Sequence, residues 1–414
     1  MSAAPGGRRR RRAGLGALVA AGLVAGACSG DDDGAGGGGG SGATEGDRTT
    51  TTSLTAAQAA VAYAEAGPYP VGITTLELEG GVPVEVWYPA VDGTTGQDTY
   101  DVRAMVPPVV EDLLTADVPA EYTIDAGRDA DVADGEFPLV LFSHGFTGIR
   151  QQSSFLTAHL ASWGMVVAAP DHWSRDLAHV LGGVLGEPEP PERDDVDDLR
   201  ATRELLAAED EATRSRFEGH VDTGQVAAVG HSAGGGTVLG FAADDGVVGY
   251  VSLASGAGIG RDEAEGAAGE TPELPDVPSL FMAGKLDAVV PWDTVTRAAY
   301  EAAPAPSELW VLDGVGHNGF DDFCTFGDGR GIIGVAEASG LGSFFDAQPQ
   351  FRSLGEDGCL PPAVPVTKTF PVVRHVVTAW LRQALDVDSE PVGLGPDVPD
   401  VYPVAVEISA KDPS

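Results

Sequence analysis

Residues 226–236 read Val-Ala-Ala-Val-Gly-His-Ser-Ala-Gly-Gly-Gly, and the rest of the chain is arranged around them. Four consecutive apolar residues are typical of a strand covered on both faces. The residues from Gly230 to Gly234 match the G-x-S-x-G elbow, in which a serine stands at a sharp turn from strand into helix. Side chains two residues before and after Ser232 would collide in so tight a turn. The stretch therefore predicts a strained, exposed Ser232 hydroxyl beside the unpaired N–H groups of a helix start.

The elbow pattern alone is weak evidence, because 57 of the 414 residues are glycine. About 0.4 matches are expected by chance, and a Gly-rich turn with an ordinary hydroxyl is the alternative. The context favours the elbow. A strand-like run precedes it, residues 237–243 are compatible with a helix, and suitable partner residues lie downstream.

The chain is strongly acidic, with 63 acidic and 24 basic residues and a formal net charge of −39. Such a surface repels nucleic acid and anionic lipid headgroups, so we expect neither as a partner. A saline or alkaline habitat and a GC-rich genome explain the acidity equally well. The hydrophobic fraction of 43% is that of a globular protein, and the length suits one large domain or two smaller ones.

Residues 1–27 are predicted to be a signal peptide. Arg8–Arg12 are basic, and Ala13–Ala27 form an apolar stretch of about 15 residues, which is short for a bilayer span. Residues 24–28 read VAGAC and resemble a bacterial lipobox, although Ala25 stands where leucine is usual. We therefore expect an exported protein, either anchored by a lipid on Cys28 or secreted after ordinary cleavage. The consecutive arginines leave the Sec and twin-arginine routes both open.

Residues 28–60 are predicted to be a flexible tether, because the Gly-, Asp- and Thr-rich sequence up to about Ser53 cannot build a core. If Cys28 carries lipid, Cys324 and Cys359 are the remaining cysteines, and export favours a disulfide between them. Such a bridge would close a loop of about 35 residues and stabilise the fold by roughly 3–4 kcal/mol. Two unpaired thiols are the alternative.

Strands alternate with helices across residues 61–388, the predicted main domain. Strand patterns lie at 72–79, 82–89, 137–143, 165–170, 226–229, 247–253, 279–284 and 308–312, and helix patterns at 151–163, 192–218, 293–303 and around 372–381. This order predicts an α/β fold with a mainly parallel central sheet, helices on both faces and an antiparallel N-terminal edge. Residues 92–134 are an insertion of uncertain structure, and residues 389–414 read as a peripheral Pro-rich tail.

A reactive serine needs a base to accept its proton. Two histidines follow Ser232 in the chain, His317 and His375. His375 lies inside a predicted amphipathic helix and reads as a packing or surface residue. His317 follows the strand at 308–312, where a base must lie to reach the serine, and is the predicted base.

The base in turn needs an acid that orients it, and Asp287 is the predicted acid because it follows the buried strand that ends at 284. Other carboxylates fit less well. Asp293 opens a predicted helix and reads as its N-cap. Asp313 is at the same strand end as the base, and Asp321 and Asp322 follow it.

An oxyanion hole needs two N–H donors. We expect them from Ala233, which follows the nucleophile, and from Phe146, in the loop after the strand at 137–143. His144 and His231 are expected to be structural neighbours rather than bases. Residues 171–172, Asp-His, also end a strand and are expected at the pocket rim. No third ligand is evident there, so no metal site is predicted.

Four motifs together resemble the α/β-hydrolase superfamily: residues 142–146 (FSHGF), 171–172 (DH), 230–234 (GHSAG) and 317–323 (HNGFDDF). Over roughly residues 70–385 the chain is similar to the platelet-activating-factor acetylhydrolase type and to bacterial dienelactone-hydrolase-like and polyester-hydrolase-like esterases. The resemblance implies serine ester hydrolysis without a cofactor, with Ser232 as nucleophile and His317 as base. Plasma-type acetylhydrolases carry their acid one strand earlier, where this chain reads SLAS. Asp287 instead resembles the dienelactone- and polyester-hydrolase arrangement, which argues against phospholipid specificity.

Taken together, the sequence predicts a monomeric serine esterase that acts through an acyl-enzyme on a small or lipid-like ester and meets the membrane only through its N-terminal lipid. An amidase or peptidase using the same residues is one alternative, and a non-catalytic surface lipoprotein is another. Residues 331–351 are rich in Ile, Leu and Phe. They read equally well as a cap over the acyl pocket, fixed by the disulfide, and as a surface excursion. Nothing in the loops indicates which ester is cleaved.

Overall fold

The elbow strand lies near the middle of a large sheet in the computed structural model, which describes residues 54–114, 117–259, 273–395 and 398–412. The predicted signal peptide, Cys28 and most of the predicted tether lie outside these residues. The described residues belong to one compact unit, Ser53–Ser414. Among them, no helix combines the length and the hydropathy needed to cross a membrane.

The strands in the described part of the chain are β1 (Val71–Glu77), β2 (Pro83–Pro89), β3 (Asp98–Asp101), β4 (Glu121–Ile124), β5 (Gly127–Arg128), β6 (Phe137–Ser143), β7 (Val166–Pro170), β8 (Val221–His231), β9 (Val247–Leu253), β10 (Ser279–Gly284), β11 (Ser307–Leu312) and β12 (Val406–Lys411). Ten of these described strands form one sheet in the order β12-β11-β10-β9-β8-β6-β7-β2-β1-β5, while β3 and β4 pair separately.

The central strands run parallel, as the alternation of strands and helices predicts. Each neighbouring pair from β7 through β6, β8, β9 and β10 to β11 is parallel. At the N-terminal edge, β1 and β2 form an antiparallel hairpin, and β2 pairs antiparallel with β7. Gly80 and Gly81 make the hairpin turn with φ of 94° and 93°, a region that glycine enters without steric cost. The predicted fold class is therefore confirmed.

The helices in the described residues are α1 (Ala56–Ala59), α2 (Pro108–Glu111), α3 (Ser154–Ser162), α4 (Leu177–Leu185), α5 (Asp195–Glu211), α6 (Ala233–Phe241), α7 (Thr296–Ala302), α8 (Gly331–Ala338), α9 (Gly342–Ala347), α10 (Pro349–Glu356) and α11 (Phe370–Ala384). Short 3-10 helices span Val102–Met105, His317–Phe320, Phe323–Thr325, Gly327–Gly329, Val366–Lys368 and Val398–Val401.

Helices cover both faces of the sheet, because the strand side chains alternate between two apolar cores. Val140 and Phe142 of β6 belong to one core, together with residues of α3 and α11. Leu139 and Leu141 belong to the other, together with residues of α5, α6 and α7. A strand buried on both faces needs apolar residues at successive positions, which is the pattern read from the sequence.

The C-terminal residues depart from the expectation of a peripheral tail. Residues 389–414 contain β12, which pairs antiparallel with β11 at the edge of the sheet. Lys411 closes this strand, and its ammonium donates to the carbonyls of Glu301 and Ala303 at 2.9 Å each, at the end of α7. A cation there complements the negative end of the helix dipole. This short strand was not predicted because proline-rich sequence lies on both sides of it.

The structure corrects the prediction for Asp293 and decides between the two readings of His375. Asp293 is exposed and is not an N-cap, because α7 begins after Val295 without a side-chain cap. His375 is fully buried in α11 and is a packing residue. Its Nδ1 accepts the Tyr63 N–H at 3.2 Å, and its Nε2–H donates to the Gly393 carbonyl at 2.9 Å.

Candidate active site

Ser232 occupies the turn between β8 and α6, with φ 55° and ψ −122°. Few residues other than glycine adopt a positive φ, so the serine is held in a strained conformation by its surroundings. The flanking glycines are obligatory. A Cβ on Gly230 would lie 2.1 Å from the Gly234 carbonyl oxygen, and one on Gly234 would lie 2.0 Å from the Ser143 carbonyl oxygen. The structure thus contains the elbow that the sequence predicts.

The three predicted triad residues meet at the carboxyl end of the sheet. His317 Nε2 lies 2.9 Å from Ser232 Oγ, and His317 Nδ1 lies 2.9 Å from Asp287 Oδ2. The second oxygen of Asp287 accepts the N–H groups of Val289 and Val290 at 2.9 and 2.7 Å. The carboxylate is therefore fixed by its own loop while it orients the imidazole, which leaves Nε2 to accept the serine proton.

The electrostatic surroundings separate His317 from its neighbour His231, although the two rings are only 4.9 Å apart. Burial lowers the pKa of His317, but the charge and hydrogen bond of Asp287, with smaller contributions from Asp357 and Asp321, raise it above the ordinary value. Burial, and to a lesser extent the nearby His317, lower the pKa of His231 to about 3. His231 is therefore a neutral structural residue, as the sequence suggested, and its Nε2–H donates to the His317 carbonyl at 3.1 Å.

The alternative acids serve other purposes. Asp321 accepts the Gln152 amide at 3.1 Å and the Phe323 N–H at 2.9 Å, and burial raises its pKa to about 7. Asp322 accepts the N–H of Phe155 and the hydroxyl of Tyr100, both at 3.1 Å.

Asp313 is exposed at the end of β11. The hydrogen bond from the imidazole Nδ1 goes to Asp287.

The loop after β6, which we expect to supply an oxyanion donor, lies directly against the nucleophile. A Cβ on Gly145 would be 3.1 Å from the Ser232 Cβ, so the glycine permits this close approach. Phe146 follows it and lines the pocket beside Ser232, with its side chain 44% exposed. Ala233 is the first residue of α6, and N–H groups in a first helical turn have no partner within the helix. The roles of the Phe146 and Ala233 amides as oxyanion donors stay a prediction.

Gln152 was not singled out from the sequence, yet it joins three of the loops that form the site. Its Oε1 accepts the Gly145 N–H at 2.7 Å. Its Nε2 donates to His231 Nδ1 at 2.8 Å and to Asp321 at 3.1 Å. One buried amide thus fixes the loop after β6, the elbow and the loop after His317, and no local pattern marks a glutamine for this role.

Asp357 is a second residue that the sequence did not reveal. Its Oδ1 accepts the His317 N–H at 2.6 Å, and its Oδ2 accepts the Ala288 N–H at 3.0 Å, so one carboxylate holds the loops of both the base and the acid. It lies two residues before Cys359, which forms the predicted disulfide with Cys324.

Residues 331–356, which comprise α8, α9 and α10, form a cap over the site. Ile332, Ile333, Phe345 and Phe351 line the same pocket as Ser232 and His317, so the cap and not the surface excursion is the correct alternative. The catalytic pocket has a volume of about 70 Å³. Sites that enclose a drug-sized ligand usually measure about 300–1,000 Å³. The pocket beside the nucleophile is therefore small.

His172 is not at the pocket rim, where we expected it. It is completely buried just after the end of β7. Its Nδ1–H donates to Asp198 at 3.2 Å, and Ser143 Oγ lies 2.9 Å from its Nε2. Burial lowers the pKa of His172 to about 3. The partners of this ring come from α5 and from the end of β6, and neither is apparent from the local Asp-His motif.

The sequence showed no third metal ligand beside His172, whereas the structure brings Asp195 and Asp198 close to it, with ligand atoms within 4.8 Å of one another. Two arginines occupy these carboxylates. Arg175 pairs with Asp195, and Arg193 Nη2 lies 2.6 Å from Asp198. The guanidinium groups supply the positive charge that a cation would otherwise bring, so the cluster reads as an ion-pair network.

Comparisons with known proteins agree with the predicted resemblance over part of the chain. Residues 61–216 match the family model of platelet-activating factor acetylhydrolase, isoform II. A bis(hydroxyethyl) terephthalate hydrolase from Streptomyces coelicolor is 35% identical over 108 residues, which are 26% of this chain and 29% of that protein. The chain thus aligns with under a third of this relative's length. The strand order and the nucleophile elbow are consistent with an α/β-hydrolase fold.

Proposed function

We propose that this α/β-hydrolase is a serine carboxylic ester hydrolase that acts through an acyl-enzyme. One observation carries the proposal, namely the hydrogen-bonded series Asp287–His317–Ser232 at the ends of three strands, beside a pocket. Each of the three residues has the partner that its role requires. The matches to an acetylhydrolase family and to an ester hydrolase support the choice of esters among acyl compounds.

Acylation begins when His317 Nε2 takes the proton from Ser232 Oγ as this oxygen attacks the ester carbonyl carbon. The carbonyl π electrons move to its oxygen, which the N–H groups of Ala233 and Phe146 stabilise. Asp287 stabilises the imidazolium that forms. The intermediate collapses, the bond to the alcohol oxygen breaks, and His317 Nε2–H protonates the departing alcohol.

Deacylation repeats these steps with water in place of the serine. His317 removes a proton from the water, whose oxygen attacks the acyl carbonyl carbon. The carboxylic acid is released when the bond to Ser232 Oγ breaks, and the serine recovers its proton from the imidazole. No step requires a metal or a cofactor.

We further propose that the protein is exported and that Cys28 carries its anchor. The Cys324–Cys359 disulfide supports export, because such bridges persist in oxidising compartments. Replacement Cys28→Ala tests the anchor. A lipidated protein would move from the membrane fraction to the medium, whereas an unchanged distribution would contradict lipidation.

Labelling with a fluorophosphonate tests the enzymatic proposal. We expect the wild type to react and Ser232→Ala to stay unlabelled, with kcat for p-nitrophenyl acetate reduced by about 10⁴-fold or more. Ser409→Ala, an exposed serine on β12, is the matched control and should behave as the wild type. Undiminished labelling of Ser232→Ala would contradict the assignment. Hydrolysis of p-nitroacetanilide at a comparable rate would favour an amidase.

A further inference from the structure

A second cavity, of about 140 Å³, lies beside the catalytic pocket. Every described residue that lines it is Val, Leu, Ile, Ala or Phe. Its walls come from three distant segments: residues 102–114, helix α4 and the cap. A cavity without a polar group offers nothing to a charged or hydrogen-bonding ligand, so its occupant must be apolar.

The two cavities share walls. Leu181 of α4 and Ile332 and Phe345 of the cap line both the catalytic pocket and the apolar cavity. The partition between them is therefore one layer of side chains. At the other end, Leu113 and Leu185 line the apolar cavity and are 53% and 49% exposed, so this end reaches the surface.

We propose that the apolar cavity accepts the alkyl chain of the acyl group, and that the enzyme prefers esters of medium-chain acids over acetates. This inference rests on the proposed esterase function. The catalytic pocket of about 70 Å³ has room for a short acyl group only. A longer chain attached to Ser232 must leave that pocket, and the apolar cavity lies one side-chain layer away.

The acyl part, rather than the alcohol, is the occupant for a chemical reason. The alcohol departs in the first step, whereas the acyl group stays bonded to Ser232 until water releases it. The apolar cavity is covered by the cap, and such an enclosed site suits the acyl group that stays on Ser232. Each buried methylene contributes about fourfold to binding, so even partial filling of the cavity produces a clear chain-length preference.

The helix α8 offers a matched pair of variants. Ala336 lines the apolar cavity and is buried, whereas Ala338 is exposed on the same helix. Ala336→Leu adds three carbon atoms inside the cavity, and Ala338→Leu adds the same atoms in solvent. A third variant, Phe345→Ala, thins the shared wall, and it gives an independent result if Ala336→Leu folds poorly.

The experiment measures kcat/KM for p-nitrophenyl acetate, butyrate, octanoate and dodecanoate, normalised to the serine titrated with fluorophosphonate. For the wild type we expect octanoate to exceed acetate by about tenfold or more. Ala336→Leu should lower the octanoate-to-acetate ratio by about tenfold, Ala338→Leu should leave it unchanged, and Phe345→Ala should raise the dodecanoate-to-acetate ratio by about threefold.

Three results would overturn the inference. The first is a wild type that prefers acetate to octanoate. The second is an Ala336→Leu variant that slows hydrolysis of acetate and octanoate equally. The third is a rate that depends on the length of the alcohol in a series of alkyl acetates. Failure of the esterase proposal looks different, because then neither fluorophosphonate labelling nor acetate hydrolysis occurs. That result would remove this inference as well.

Discussion

Two hydroxyl–imidazole–carboxylate series lie at the same edge of the sheet, Ser232–His317–Asp287 and Ser143–His172–Asp198. Their distances are similar. Oxygen and Nε2 are 2.9 Å apart in both, and Nδ1 and the carboxylate are 2.9 Å apart in the first and 3.2 Å in the second. Short distances alone therefore do not distinguish an active site from a structural network.

The surroundings distinguish the two series. Ser232 lines a pocket, whereas Ser143 is fully buried and accepts a hydrogen bond from Arg175 Nη2 at 2.8 Å. The pKa of His317 is raised, because the charge and hydrogen bond of Asp287, together with the charges of Asp357 and Asp321, outweigh burial. The pKa of His172 falls to about 3, because burial and then Arg175 disfavour the imidazolium. The proposed nucleophile thus differs from Ser143 in its access to a pocket and in the stabilisation of its imidazolium, not in the residue types of its series.

The largest expected effect comes from removing the carboxylate charge in each series. Asp287→Asn should lower kcat by about 10⁴-fold with little change in the melting temperature, because the imidazole loses its orientation and its stabilising charge. Asp198→Asn should instead destabilise the fold by about 3–5 kcal/mol, because it leaves Arg193 without its buried partner. Enzyme kinetics and thermal unfolding measure both, with exposed Asp293→Asn as the control.

If Asp198→Asn lowered kcat as strongly as Asp287→Asn, the distinction between the two series would be lost.

A smaller effect is expected at Gln152, which holds the loop after β6 against the elbow. Gln152→Leu should lower kcat by about 10–100-fold for acetate and octanoate alike, because a displaced loop misplaces the proposed oxyanion donor. Gln383→Leu, an exposed glutamine on α11, is the control. A change in KM alone, with kcat intact, would show that Gln152 shapes the pocket rather than the oxyanion hole.

Removing the disulfide should affect the cap more than the chemistry. We expect the double replacement of Cys324 and Cys359 by alanine to destabilise the fold by roughly 3–4 kcal/mol, from the entropy of the released loop. Acetate turnover should fall only a few-fold, and octanoate turnover by about tenfold. Reductant should produce the same change in the wild type and none in the double variant. Equal losses for both esters would mean that the bridge supports the triad itself.

The smallest expected change is in the shape of the pH profile. The base must be neutral to accept the serine proton, so kcat/KM is retained above the pKa of His317 and lost as the pH falls through it. Since Asp287 raises this pKa, the acidic limb should lie above the ordinary histidine value, and in Asp287→Asn it should move to lower pH. A limb that does not move would point to a different titrating group.

The elbow could be predicted because its signal is local, and the triad because its members follow the ends of strands in one parallel sheet. Glycines flanking Ser232 mark the turn, and the order of strand ends places Asp287 and His317 beside it. Gln152 and Asp357 escaped notice because their partners lie far away in the chain. The amide of Gln152 reaches Asp321, and the carboxylate of Asp357 reaches back to the His317 loop.

The predictions of a rim position for His172 and of a peripheral tail at β12 were wrong because distant segments decide both. A strand-end Asp-His pair looks the same in a sequence whether it faces solvent or is buried, and here Asp198 of α5 and Ser143 of β6 bond to the buried His172 ring. The six residues of β12 are too few to stand out between proline-rich flanks, and β11 supplies the pairing that makes them a strand.

The attachment of the cap has a consequence for protein engineering. Two of its attachments, the Cys324–Cys359 bridge and the Asp357 carboxylate, lie next to its ends. A chimaera that keeps those three residues and exchanges the helices between them for a foreign segment should retain its nucleophile and base in register. Exchanging the segment between the two cysteines is thus a way to change the substrate preference while the proposed triad stays the same.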